Sequence, residues 1–305
     1  MKHPEPQNVT VSGGSNFDDS TPLGHEIHNL ARRRMIIASQ SLPLPTKTRV
    51  FTVSNQKGGV GKTTTVVNLA AALARSGARV LVIDLDPQGN ASTALGVEHR
   101  EGTPSVYDIL VGEHDFDDVI QKSTDWESLF VIPATIDLAG AEIELVSMVA
   151  REQRLSRALD RFLERFTVDY VFIDCPPSLG LLTINAFVAA SEVLIPIQCE
   201  YYALEGLSQL LKNIQLIEKH LNPRLRVSTI LLTMYDQRTN LAQQVAEDVR
   251  EHFPHEVLET IIPRSVRISE APSYAQTVIS YDSNSSGALS YLEAAAEIAR
   301  RGGNY

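Results

Sequence analysis

Two lysines, a threonine and three aspartates sit at spacings that suit one chemistry: gripping and hydrolysing a nucleoside triphosphate. The first group lies in Val53–Thr65, VSNQKGGVGKTTT. Glycines let backbone N–H groups approach oxyanions with no Cβ in the way. A helix starting at Lys62–Thr63 adds unpaired N–H groups and the positive end of its dipole. In such a loop Lys62 reaches the β- and γ-phosphates and the Thr63 hydroxyl holds Mg²⁺. Gln56 stands where the standard pattern has glycine, and Lys57 adds a second lysine at the mouth. Lys57 reads either as a solvated loop charge or as a group lent to the triphosphate of a facing subunit, as an arginine finger is in trans.

The second group ends LVIDLDPQGN, residues 81–90. Acids just beyond an apolar strand are costly unless they are used. Asp86 is placed to orient water on a γ-phosphate or to sense it, and Asp84 to support Mg²⁺ or its waters. The plain alternative is a turn filled by Asp and Pro. The third group is Asp174, at the tip of YVFID and ahead of Cys-Pro-Pro-Ser. An acid at that position is what a P-loop enzyme uses to hold Mg²⁺.

These groups need a frame that brings strand tips together. Apolar β-branched runs occur at 50–54, 80–84, 129–132, 170–174, 193–197, 228–232 and 257–262. Helical periodicity fills 63–75, 142–166, 204–220 and 241–252, and residues 285–301 read as a closing helix. Such alternation predicts an α/β fold: a doubly wound, mostly parallel sheet with helices on both faces. Ligands bind such sheets at the carboxyl ends of the strands, where the three groups fall. The expected organisation is one P-loop NTPase domain, 48–305, after an N-terminal arm, 1–47. Ser, Gly, Pro, Asn and Asp dominate the arm's start, so it reads as disordered or partly helical. Within it, 23–38 has helical spacing and carries Arg32, Arg33 and Arg34, and 41–45 (SLPLP) is a stiff linker.

Composition bounds the rest. The chain has 305 residues and a formal net charge of −10. So acidic a protein binds nucleic acid only through a local basic patch. Basic residues thicken late in the chain: Arg224, Arg226, Arg238, Arg250, Arg264 and Arg267. The only cysteines, Cys175 and Cys199, form no CxxC pattern, so free thiols in a reducing cytoplasm are expected. No run approaches the ~20 apolar residues of a membrane span, and no leader peptide is visible.

Beyond single motifs, KGGVGKTT (57–64), IDLDPQGN (83–90), VIPATIDLAGAEIEL (131–145), IDCPPSLGLLTINA (173–186), PIQCEYYALEGLSQLL (196–211), LLTMYDQRTNL (231–241) and IPRSVRISEAPS (262–273) resemble the chromosome-partitioning ATPases called ParA or Soj. The likeness runs from about Arg49 to the end. It implies a deviant Walker ATPase of the MinD/ParA superfamily that forms a homodimer around ATP and Mg²⁺. By resemblance, Lys57, Gly58, Gly59, Val60, Gly61, Lys62, Thr63 and Thr64 hold nucleotide, with Lys57 reaching the partner's. Asp86 serves hydrolysis, Thr63, Asp84 and Asp174 serve the metal, and the loop at Pro263 and Arg264 lies near adenine. Arg238 and Arg267 match arginines that bind double-stranded DNA without sequence preference. A ParB-type partner stimulates weak hydrolysis and releases the DNA, which implies a cytoplasmic, nucleoid-associated protein that moves a chromosome or plasmid. The alternative is a MinD-like ATPase that cycles on membranes and positions division. It needs an amphipathic C-terminal helix with bulky apolar residues, and YLEAAAEIARRGGNY is Ala-rich instead. A cluster-bearing electron-transfer ATPase would need interface thiolates that Cys175 and Cys199 do not match.

Overall fold

The computed structural model describes residues 22–201 and 203–302. The expectation of disorder in residues 1–21 lies outside the described residues. The chain divides into two units, Met1–Ser39 and Gln40–Tyr305. In the first, helix α1 (Pro22–Ser39) covers the run expected to be helical and exposes Met35 and Ile36.

The second unit opens with β1 (Arg49–Val53), α2 (Lys62–Arg75), β2 (Val80–Asp84), α3 (Asn90–Ala94), α4 (Val106–Val111), α5 (Phe116–Val119), β3 (Gln121–Lys122) and β4 (Leu129–Ile132). It continues through α6 (Leu138–Val146), α7 (Arg154–Leu163), β5 (Tyr170–Asp174), α8 (Leu181–Ala189), β6 (Glu192–Gln198) and α9 (Ala203–His220). It closes with β7 (Arg226–Thr233), α10 (Asn240–His252), α11 (Val266–Glu270), α12 (Val278–Tyr281) and α13 (Ser286–Gly302).

The strands form one sheet in the order β3-β4-β2-β5-β1-β6-β7. Every pairing is parallel except the short β3 edge, so the expected fold class holds. β1, β2 and β5 are buried along their whole length, which explains why they read as continuous apolar runs. Side chains alternate across the sheet. Val50, Ile83, Ile173 and Ile195 join one core cluster with α4 and α6 to α10. On the other face Phe51 stacks on Phe172, and α2 packs between the sheet and α13. Arg49 ties the strands' amino ends together. Its fork donates to both Glu192 oxygens at 2.7 Å and its remaining nitrogen to the Ile298 carbonyl at 2.7 Å.

Register positions the site. Val53 pairs with Asp174, and Asp174 pairs with Asp84. Three neighbouring strands therefore end at one level, with the glycine loop and two carboxylates side by side.

Two expectations are corrected. The helix expected over 142–166 is broken: Ala150 adopts a left-handed φ of 53°, and Asn185 bridges the break by accepting from Leu155 N–H and donating to the Arg151 carbonyl. The strand expected at 257–262 is reduced to one isolated bridge, Val257 to Ile230 of β7, with a second, Pro263 to Tyr235, just beyond it. Glu297 draws the N–H groups of Glu259 and Thr260 to its carboxylate, which pulls the segment off the ladder.

Candidate nucleotide site

The loop between β1 and α2 is pinned at both ends. Asn55 donates to the Pro196 carbonyl at 2.8 Å and accepts from Lys57 N–H at 3.0 Å. Thr233, at the tip of β7, donates its hydroxyl to the Val60 carbonyl at 2.9 Å. Gly59 and Gly61 take φ of 73° and 88°, the left-handed region that glycine enters freely. Gly61 caps α2 without any side-chain hydrogen bond, and the first turn holds no acid. The helix thus presents its free N–H groups and positive dipole end to the loop's concave side.

Lys62 lies beneath this loop, 8% exposed, with Nζ donating to the Lys57 carbonyl at 3.3 Å. Burial lowers its pKa, against the pull of Asp174 and Asp86. Asp174 is fully buried and neither of its oxygens has a hydrogen-bond partner. Burial, then the neighbouring Asp84 charge, pushes its carboxyl well above the ordinary range; the Thr63 hydroxyl opposes this, without forming a full hydrogen bond. Asp84 is equally buried but satisfied: it accepts from Ser92 N–H and hydroxyl at 2.9 and 2.7 Å and from Asp86 N–H at 3.2 Å. Burial still holds its carboxyl up at about 6. Asp86 is partly exposed and forms a turn by accepting from Gln88 N–H at 3.0 Å.

A cavity of about 180 Å³ opens beside the loop. Gly61 and Thr64 form one wall, Pro263 and Arg264 another, and Met234 and Tyr291 close it. Lys57 is half-exposed and paired with Glu200, which Gln198 also holds. Arg238 is exposed but its fork is taken by Asp236, at 2.8 and 2.7 Å. Arg267 likewise meets Glu270 at 3.1 Å and Asp282 at 3.5 Å. The structure thus gathers Gly58–Thr64, Asp84, Asp86, Asp174, Pro263 and Arg264 around the loop, and shows both basic candidates already engaged.

Four contributors carried no sequence signal that was used: Thr233, Met234, Tyr291 and Glu200. The strand-tip rule could have found the first two. The cysteines are buried free thiols, and burial pushes Cys175 up to about 12. Among the described residues no helix is long and apolar enough to cross a membrane, and no group of three or more His, Cys, Asp or Glu could cage a metal ion.

Comparison with known proteins decides the family. Residues 48–227 match a family described as "AAA domain". The chain is 57% identical over 254 residues to the sporulation initiation inhibitor protein Soj of Bacillus subtilis, covering 83% of this chain and 99% of that one. The chain belongs to the Soj/ParA family. The chromosome partitioning protein ParA of Myxococcus xanthus is 51% identical, with 83% and 88% covered. Among solved structures, cobyrinic acid a,c-diamide synthase from Mycobacterium smegmatis, crystallised with ADP and magnesium, is similar at TM-score 0.73 and 39% identity, covering 84% of this chain and 96% of that one. Family membership places the chain among chromosome-partitioning P-loop ATPases, and the loop, the buried lysine and the strand-tip acids are that architecture in residues.

Proposed function

We propose that this Soj/ParA protein is an ATPase that dimerises around ATP, binds DNA without sequence preference and partitions a chromosome or plasmid. The ATPase domain is residues 48–305, with 1–47 an appended arm. The observation that carries the nucleotide reading is Asp174. A buried carboxylate with two unsatisfied oxygens is expensive by itself, and it becomes economical in free energy terms beside a cation. The residues present fit Mg²⁺, which takes one or two carboxylates plus phosphate oxygens rather than an all-protein cage.

Thr63 and Asp174 would hold the metal, with Asp84 bracing the site through Ser92. Bound Mg²⁺ supplies charge neutralisation at the phosphates. Backbone N–H groups of residues 58–64 and Lys62 bind the triphosphate, and the cavity at Pro263 and Arg264 takes the base. Asp86 orients the water that attacks the γ-phosphorus as the bond to ADP breaks. Lys57, once it leaves Glu200, reaches the partner's nucleotide. Hydrolysis is slow alone and rises with DNA and a ParB-type protein. Arg238 and Arg267 contact phosphates after exchanging their present acids, and the dimer doubles a patch too weak in one acidic chain. A membrane-cycling function is disfavoured because α13 spends its apolar residues on α2.

The test is sedimentation with non-hydrolysable ATP. Wild type and Asp86→Ala should dimerise and bind duplex DNA, Lys62→Ala should do neither, and Asp86→Ala should not hydrolyse ATP. A monomer in every nucleotide state would refute the proposal.

A further inference from the structure

Met234 is one of three non-glycine residues with positive φ among the described residues, at 51°. That backbone is strained for any residue but glycine. Methionine lacks the short polar side chain that lets Asn or Asp tolerate it, so the surroundings must impose it. They do so from both sides. Thr233 is fixed by its hydroxyl bond to Val60. Tyr235 is fixed by two backbone bonds, its N–H to the Ile262 carbonyl and its carbonyl to Arg264 N–H, both at 3.1 Å. Between these anchors the left-handed turn sends the Met234 side chain back over the glycine loop. Its methyl carbon lies 3.9 Å from where a Cβ on Gly61 would be. It also lines the 180 Å³ cavity, with Ile262, Pro263, Ile268 and Tyr291 among the other lining residues. The polarizable thioether is suited to the edge or face of an aromatic ring.

Resting on the nucleotide reading above, we infer that Met234 is a nucleobase-contacting residue whose thioether, packed beside the phosphate loop, forms one side of the base site, with its strained backbone as the positioning device. The phosphates are held by Lys62 and the loop; the ring is held by Met234. A phosphate chain without a base then does not sense residue 234.

The experiment is calorimetric titration of the full chain with Mg-ATP and, separately, with Mg-tripolyphosphate, which lacks base and sugar. Met234→Ala should weaken ATP about tenfold, or about 1.4 kcal/mol, and leave tripolyphosphate unchanged. Met234→Leu should restore most of the ATP affinity. Met234→Gly should lose ATP affinity as the alanine variant does while unfolding at a higher temperature, because the strain is gone. Unchanged ATP affinity in the alanine and glycine variants overturns the inference. So does equal weakening of both ligands, which would make residue 234 a mere support of the loop. Wild type that binds neither ligand overturns the nucleotide reading itself, and Lys62→Ala, which should lose both, identifies that failure separately.

Discussion

Arg238 cannot neutralise a DNA phosphate while Asp236 holds its fork. The bidentate pair is intact at 2.7–2.8 Å, although the arginine side chain is 87% exposed. Asp236→Asn removes the competing charge and leaves Oδ1 in place to accept Arg238 N–H, so the turn ahead of α10 survives. Each phosphate neutralised adds about 0.9 to the slope of log K against log salt. A dimer carries two such arginines, so the slope should be about 1.8 steeper in Asp236→Asn than in Arg238→Ala. Between 50 and 200 mM salt, affinity should then fall about 12-fold more in Asp236→Asn than in Arg238→Ala. The assay is binding to long duplex DNA across that salt range with non-hydrolysable ATP. Glu218→Gln, an exposed acid on α9, makes the same change in net charge and serves as control. A slope in Asp236→Asn equal to that of Arg238→Ala would show that Arg238 does not meet phosphate, and the proposed patch would lose half its basis.

Three other outcomes follow from the buried acids and the exposed lysine. Asp174→Asn should stabilise the nucleotide-free protein by about 1 kcal/mol in urea unfolding, since it removes an uncompensated carboxylate while leaving an unpaired amide; it should also forfeit the ~2.7 kcal/mol that Mg-ATP adds at a hundred times its Kd. Glu200→Gln releases both Lys57 side chains of a dimer from exposed pairs worth under about 1 kcal/mol each, so the dimer should form at up to about thirtyfold lower concentration; an unchanged midpoint would mean that Lys57 is not needed across the interface. Asp84 is favoured in its protonated form on folding, because its carboxyl titrates at about 6 against an ordinary 3.8. Stability of the nucleotide-free protein should therefore be full below pH 4 with respect to this group and fall by about 3 kcal/mol as pH rises through 6. Asp174 acts in the same sense, and urea midpoints in Asp84→Asn should show a flatter profile.

Much of the site was legible because its parts are local. A glycine loop between a strand and a helix, and aspartates that terminate apolar strands, each declare themselves within about ten residues. The sheet then had to align them, and the pairing of Val53, Asp174 and Asp84 does so. What escaped the sequence depends on partners far along the chain. Asn185 sustains the chain break at Ala150, and Glu297 peels residues 259 and 260 away from β7. Asp236 neutralises Arg238 from only two residues away, yet charge type alone did not distinguish a free arginine from a paired one. Met234 reads as an apolar strand end, and only its dihedral angle separates it from its neighbours.

The clamping of α2 by α13 carries a consequence for biosynthesis. Tyr291 walls the nucleotide cavity and Ile298 supplies an acceptor for Arg49, so the ribosome delivers these closing pieces after every catalytic residue has already emerged. A nascent or prematurely terminated chain lacks that wall and cannot finish the pocket. On the proposed function, a copy that ends before α13 should neither load nucleotide nor join a dimer.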